Sequence, residues 1–125
     1  LGFLGWSMGG YGALLLGGRL GPQRVAAIAA ESPALWSAPG DTAPGAFDDP
    51  ADVRANEVFA AQAELTDIPV RSDCGEGDGF IFAARRYADS LTPKPAGGFT
   101  PGGHDEAYWR RMAPAQLRWI ATYLA

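Results

Sequence analysis

Apolar residues along this chain fall into short runs separated by Gly- and Pro-rich breaks. Residues 1–4 form a short apolar run, like the end of a buried strand. Residues 8–20 then predict a helix, with Tyr11, Leu14, Leu15 and Leu16 as its apolar positions and Gly21-Pro22 as its stop. Residues 25–30 are an unbroken run of small apolar side chains, which suits a strand covered on both faces of a parallel sheet. Residues 33–50 contain Pro33, Pro39, Gly40, Pro44, Gly45 and Pro50 and keep no period, so a lid-like loop is expected there. Asp49-Pro50 reads as a helix start, Asp49 capping and Pro50 in the first turn, with the helix running to about residue 65. A strand over 68–74 and a helix over 80–91 follow. Residues 93–103 are a Pro- and Gly-rich loop with room for a short strand at Gly98-Phe99. The last helix begins after His104, capped by Asp105, and Pro114 predicts a break into two pieces. Strands alternating with helices predict an α/β fold built on a parallel sheet with flanking helices.

Composition narrows the function classes. A chain of 125 residues, 47% of them hydrophobic, is enough for one small globular domain with one core. A net charge of −4 argues against nucleic acid or an anionic membrane surface as partner, since both require a basic face. Cys74 is the single cysteine, which excludes an internal disulfide and a Cys-based zinc cluster. No apolar run reaches the roughly 18 residues that would span a bilayer. No metal or organic cofactor is called for by any cluster of residues. Compartment and oligomeric state leave no signature.

The chemistry gathers at three places. Gly5-Trp6-Ser7-Met8-Gly9 matches the G-x-S-x-G nucleophile elbow, a tight strand-to-helix turn that lifts a serine hydroxyl clear of the backbone. A strand before it and a helix after it are the context the motif needs. Gly5 and Gly9 are expected to leave space where side chains would clash. The N–H of Met8, at the helix N-terminus, is placed to meet developing negative charge. An ordinary phosphate-binding Gly-rich turn is the competing reading, but neither G-x-G-x-x-G nor a Walker lysine is present. His104, the only histidine, stands between Gly102-Gly103 and a helix start. A serine nucleophile needs a base of near-neutral pKa, and this chain offers one. Asp73, Glu76, Asp78 and Asp105 compete for the supporting acid. Asp78 is favoured because its loop follows the 68–74 strand, and Glu76 is the runner-up. Ser7, Asp78 and His104 all follow predicted strands, so all three reach the carboxyl edge of the sheet, where ligands of such sheets bind. Trp6, Trp36 and Phe80, with Phe47, are candidates to line a substrate pocket. Tyr108, Trp109, Trp119 and Tyr123 read as core of the last helix, and Cys74 as core of its strand.

Taken together these segments resemble one family. Gly5-Trp6-Ser7-Met8-Gly9-Gly10-Tyr11-Gly12-Ala13 is similar to the elbow of the esterase-D-like α/β-hydrolases, a group that includes S-formylglutathione hydrolases and mycolyltransferases. Asp73-Cys74-Gly75-Glu76-Gly77-Asp78-Gly79-Phe80 resembles the loop carrying the triad acid, with Asp78 in the acid position. Gly103-His104-Asp105-Glu106-Ala107-Tyr108-Trp109 resembles the segment carrying the triad histidine. The resemblance implies an α/β-hydrolase fold over residues 1–125 and a Ser7-Asp78-His104 triad. It implies a serine carboxylesterase acting on a small-molecule ester or thioester through an acyl-enzyme. Transfer of the acyl group to a sugar hydroxyl, and a truncated non-catalytic remnant, are the alternatives. In that family several strands precede the elbow, and a loop among them gives the second oxyanion donor. This chain has no counterpart of them, so we expect it to be the C-terminal part of one catalytic domain of a longer hydrolase, with the N-terminal strands missing.

Overall fold

The computed structural model describes residues 1–125. Its elements run β1 (Gly2–Trp6), α1 (Met8–Leu20), β2 (Ala27–Glu31), α2 (Pro50–Ala55), β3 (Val70–Gly75), α3 (Ile81–Ser90), β4 (Ala96–Thr100) and α4 (Glu106–Leu124), with short 3-10 turns at Pro39–Asp41 and Gln62–Leu65. The four strands form one sheet in the order β1-β2-β3-β4, every neighbouring pair parallel. Trp6 pairs with Glu31 and Glu31 with Asp73, so the strands finish level with one another at their carboxyl ends.

The small apolar run becomes the central β2, all five residues of which are buried. Side chains alternate across a strand. Ile28 and Ala30 join the main core with Tyr11, Leu14, Ala83 and Tyr87 from α1 and α3. The opposite face is covered by α4, through Tyr108, Gln116 and Ile120. Helix α1 packs so closely on the sheet at Gly17 that any larger residue there would have to displace the Ile28 side chain. A Cβ on Gly17 would lie 2.3 Å from Ile28 Cδ1.

Three expectations need correction. The helix starting at Pro50 stops at Ala55 instead of reaching residue 65. Its start is as expected, with the Asp49 carboxylate accepting from Asp52 N–H at 2.8 Å. It ends because side chains take over from the backbone ladder. The Asn56 amide donates back to the Asp52 carbonyl at 2.9 Å, and Glu57 accepts from Phe59 and Ala60 N–H at 3.1 and 2.8 Å. Helix α4 is continuous through Pro114 instead of broken in two. Pro114 and Arg110 lie on the exposed side, so the Arg110 carbonyl that loses its helical partner faces water. Finally, β4 spans five residues, longer than the two-residue segment expected. No helix is long and apolar enough to cross a membrane.

Candidate active site

Ser7 occupies the single residue between β1 and α1. Its backbone sits at φ 54° and ψ −123°, a left-handed conformation that an L side chain adopts only when its surroundings enforce it. Three hydrogen bonds do so. Ser7 N–H donates to the Glu31 carbonyl at 3.1 Å, and the Ser7 carbonyl accepts from Tyr11 and Ala34 N–H at 3.1 and 3.0 Å. The turn is tight enough that a Cβ on Gly5 would stand 2.2 Å from the Gly9 carbonyl oxygen. Gly9 itself differs from expectation, since a Cβ there meets nothing within 4 Å. The second close approach belongs to Gly10, whose Cβ would lie 3.0 Å from Pro33 Cα. Helix α1 begins at Met8, so the Met8 N–H has no carbonyl one turn back to bond and remains at the helix N-terminus beside Ser7.

His104 arrives from the opposite end of the chain. Residues 101–105 pack backbone to backbone against the turn after β3. Gly77 N–H donates to the Gly102 carbonyl at 2.9 Å. A Cβ on Gly75 would stand 2.3 Å from the same oxygen, which makes glycine necessary there. His104 then presents Nε2 to Ser7 Oγ at 2.8 Å and Nδ1 to Asp78 Oδ2 at 2.8 Å. Asp78 is 2% exposed, and its other oxygen accepts from Phe80 N–H at 2.8 Å, which fixes the carboxylate plane. Serine, histidine and aspartate thus form one unbroken hydrogen-bonded line. The other acids lie elsewhere. Glu76 is exposed. Asp105 caps α4 through Tyr108 N–H at 2.9 Å. Asp73 is on the α4 face, where Arg71 and Gln116 donate to it at 2.7 and 3.0 Å.

Aromatic rings enclose the histidine. Phe80 and Trp109 flank the imidazole, each with its centroid 5.2 Å away. Trp36 meets Phe80 edge-on at 5.7 Å and also packs with Tyr11 and Phe47, so the 33–50 loop is anchored near the site at two points. Trp6 lies on the other flank, 53% exposed and stacked on Trp109 at 6.1 Å. Trp109 is the residue sequence reasoning missed. It is a wall of the histidine site, five positions after His104, and not plain helix core. Tyr123, expected in the core, is 43% exposed. Burial, with the Asp78 carboxylate adding to it, pushes the Cys74 thiol up to about 12, so it stays protonated beside the acid. No three His, Cys, Asp or Glu side chains are grouped to hold a metal ion.

No protein-family profile and no curated protein matches the chain. Solved structures do. A ferulic acid esterase aligns at 23% identity and a TM-score of 0.74, over 98% of this chain and 51% of that one. An S-formylglutathione hydrolase from Staphylococcus aureus, solved as apoenzyme, aligns at 21% identity and TM-score 0.70, over 95% and 50%. The fluorophosphonate-binding serine hydrolase F of the same organism, solved with substrate bound, aligns at 22% and 0.67, over 95% and 53%. The chain therefore spans about half the length of each, and at these identities the likeness is one of fold.

Proposed function

We propose that this chain, which has the α/β-hydrolase fold, is part of the catalytic domain of a serine carboxylesterase, with Ser7, His104 and Asp78 as its triad. The observation that carries the reading is the line from Ser7 Oγ through both nitrogens of His104 to a buried carboxylate, 2.8 Å at each step. That the three solved structures of similar fold are named as an esterase, an S-formylglutathione hydrolase and a serine hydrolase supports a hydrolase reaction.

In this reading the Ser7 hydroxyl oxygen attacks the carbonyl carbon of an ester or thioester, and its proton passes to His104 Nε2. Asp78 accepts from Nδ1–H, selects the tautomer that leaves Nε2 free, and stabilises the imidazolium as it forms. The carbonyl oxygen becomes an oxyanion, which the Met8 N–H at the α1 terminus receives. The carbon–oxygen or carbon–sulfur bond then breaks, and His104 returns its proton to the departing alcohol or thiol. Water repeats the sequence on the acyl-enzyme and releases the acid. Trp36 and Phe80 flank the approach and offer apolar walls to the substrate.

The experiment is fluorophosphonate labelling of the purified protein, with the modified residue located by mass spectrometry, alongside turnover of a chromogenic ester. We expect an adduct on Ser7 that disappears in Ser7→Ala and falls to background in His104→Ala. Full turnover in either variant would remove the assignment.

A further inference from the structure

Phe82 is 84% exposed, further than any other large apolar side chain of the protein. Helix α3 buries Ala83, Ala84 and Tyr87, so residue 82 falls outside the stripe that meets the sheet. A phenyl ring standing in water removes no apolar area from solvent and so adds little to the fold. One such ring by itself would need no account. This one has company. Phe82 lines a cleft of about 280 Å³ between the start of α3 and the first residues of the 33–50 loop, and the other large apolar side chains on its walls are Leu35, Trp36 and Phe80.

The walls are held in place. Phe80 N–H donates to Asp78 Oδ1 at 2.8 Å, which sets Phe80 at the entry to α3. Trp36 meets Phe80 edge-on at 5.7 Å. Beyond Trp36 the Ser37 carbonyl accepts from Arg86 Nη1 at 3.2 Å, which ties the loop wall to α3. Gly79 leaves room between the larger side chains, since a Cβ there meets nothing within 4 Å. Asp41 is the one charged side chain on the lining, and its negative charge disfavours an anionic occupant.

The cleft is continuous with the triad through one residue. Phe80 is a wall of the cleft and also flanks the His104 imidazole, with centroids 5.2 Å apart. In the esterase reading His104 returns its proton to the departing alcohol or thiol, so the leaving group has to lie against this imidazole. The carbonyl oxygen is drawn instead to the Met8 N–H at the start of α1. A group attached to the leaving atom and extended past Phe80 enters the cleft. A cavity of about 150 Å³ is enough for a benzene ring, so this cleft admits a ring with its linking carbon. We propose that the cleft between α3 and the 33–50 loop is the leaving-group subsite, that it takes an uncharged apolar group such as a benzyl ring, and that Phe82 is its specificity-determining residue. The inference rests on the esterase reading of Ser7 and His104.

Two measurements on wild type and Phe82→Ala test it, and a change at so exposed a helical position keeps the fold. The first is kcat/KM for two ester series: acetates of methanol, butanol and benzyl alcohol, and methyl esters of acetic, butyric and phenylacetic acid. Wild type should favour benzyl over methyl acetate. Phe82→Ala should lower that ratio about ten-fold, the effect of about 50 Å² of apolar contact, through KM rather than kcat. Ratios within the acid series should stay within two-fold. The second needs no turnover and is an NMR titration of the whole protein with benzyl alcohol. The Trp36 indole and Phe80 ring peaks should shift to saturation in wild type, and Phe82→Ala should need about ten-fold more benzyl alcohol. The proposal is overturned if benzyl alcohol leaves those peaks where they were, or if the benzyl-to-methyl ratio survives in Phe82→Ala. It is also overturned if the ratio lost is the one along the acid series. Failure of the esterase reading has a different signature: benzyl alcohol binds as expected, but Ser7 takes no fluorophosphonate and no ester of either series turns over.

Discussion

The two glycines of the elbow motif make opposite predictions. Adding a methyl group at Gly5 puts a carbon 2.2 Å from the Gly9 carbonyl oxygen and 2.4 Å from its carbon. Both obstacles are backbone, so no side chain can swing aside. Since Cβ contacts under 3.0 Å are essentially never seen, β1 and the first turn of α1 must part by about 0.8 Å. That is the turn in which Ser7 is held at φ 54°. Overpacking of this kind typically costs about 1–3 kcal/mol. A displacement approaching 1 Å of a reacting atom costs on the order of 10²-fold in rate. At Gly9 the added carbon touches nothing within 4 Å, and the residue lies in α1. There alanine should stabilise the protein by about 0.5–1 kcal/mol through its better helix propensity. The assay is the rate of fluorophosphonate labelling of Ser7 together with the thermal midpoint, for Gly5→Ala and Gly9→Ala in parallel. Gly5→Ala should label about 10²-fold more slowly and melt lower, while Gly9→Ala labels at the wild-type rate and melts higher. Equal damage from both, or wild-type labelling by Gly5→Ala, would refute the argument from backbone contact.

Three further outcomes are expected. Asp78→Asn keeps the shape of the site but no longer fixes the His104 tautomer, so kcat should fall by up to about 10⁴, whereas the exposed Glu76→Gln should leave ester turnover unchanged. Cys74, with its thiol pushed up to about 12 and no exposed surface, should resist a thiol reagent at pH 8 and react only once denaturant opens the fold. Glu31 makes stability depend on pH. Its carboxyl is raised to about 8 in the folded state, so the folded protein holds a proton that the unfolded chain releases near its ordinary value of about 4.3. Stability is therefore highest below that value and declines as pH rises, levelling off above about 8. The full decline from this one group is on the order of 5 kcal/mol. Chemical denaturation at a series of pH values should show it in wild type and lose most of it in Glu31→Gln. A flat wild-type profile between pH 5 and 8 would rule it out.

How much of this was legible before the structure depends on the range over which each feature is decided. The small apolar run of β2 and the Asp49-Pro50 helix start are local, and residues within a turn of one another settle them. The Ser7, Asp78 and His104 positions were legible for a related reason. Each is tied to a strand end by short Gly-rich chain, so a parallel sheet alone brings them to one edge. What was illegible is decided across the fold. That α2 ends at Ala55 depends on Asn56 reaching back to the Asp52 carbonyl and Glu57 reaching forward to the Phe59 and Ala60 N–H groups, which no apolar period records. That α4 survives Pro114 depends on which side of the helix meets water, and this follows only once Tyr108, Gln116 and Ile120 have been laid on the sheet. The motif treats Gly5 and Gly9 alike because a spacing rule cannot say which glycine meets backbone. Trp109 looked like core because an aromatic ring on an amphipathic helix ordinarily is core. Its role beside His104 follows from a five-residue offset combined with the docking of the whole helix. Glu31 is the sharpest case. One acid within an apolar strand looks like the point where the strand meets solvent, yet it is sealed beneath α4 with Asp73 next to it. Its neighbour Asp73 comes from another strand, and only the parallel register of β2 and β3 brings the two together.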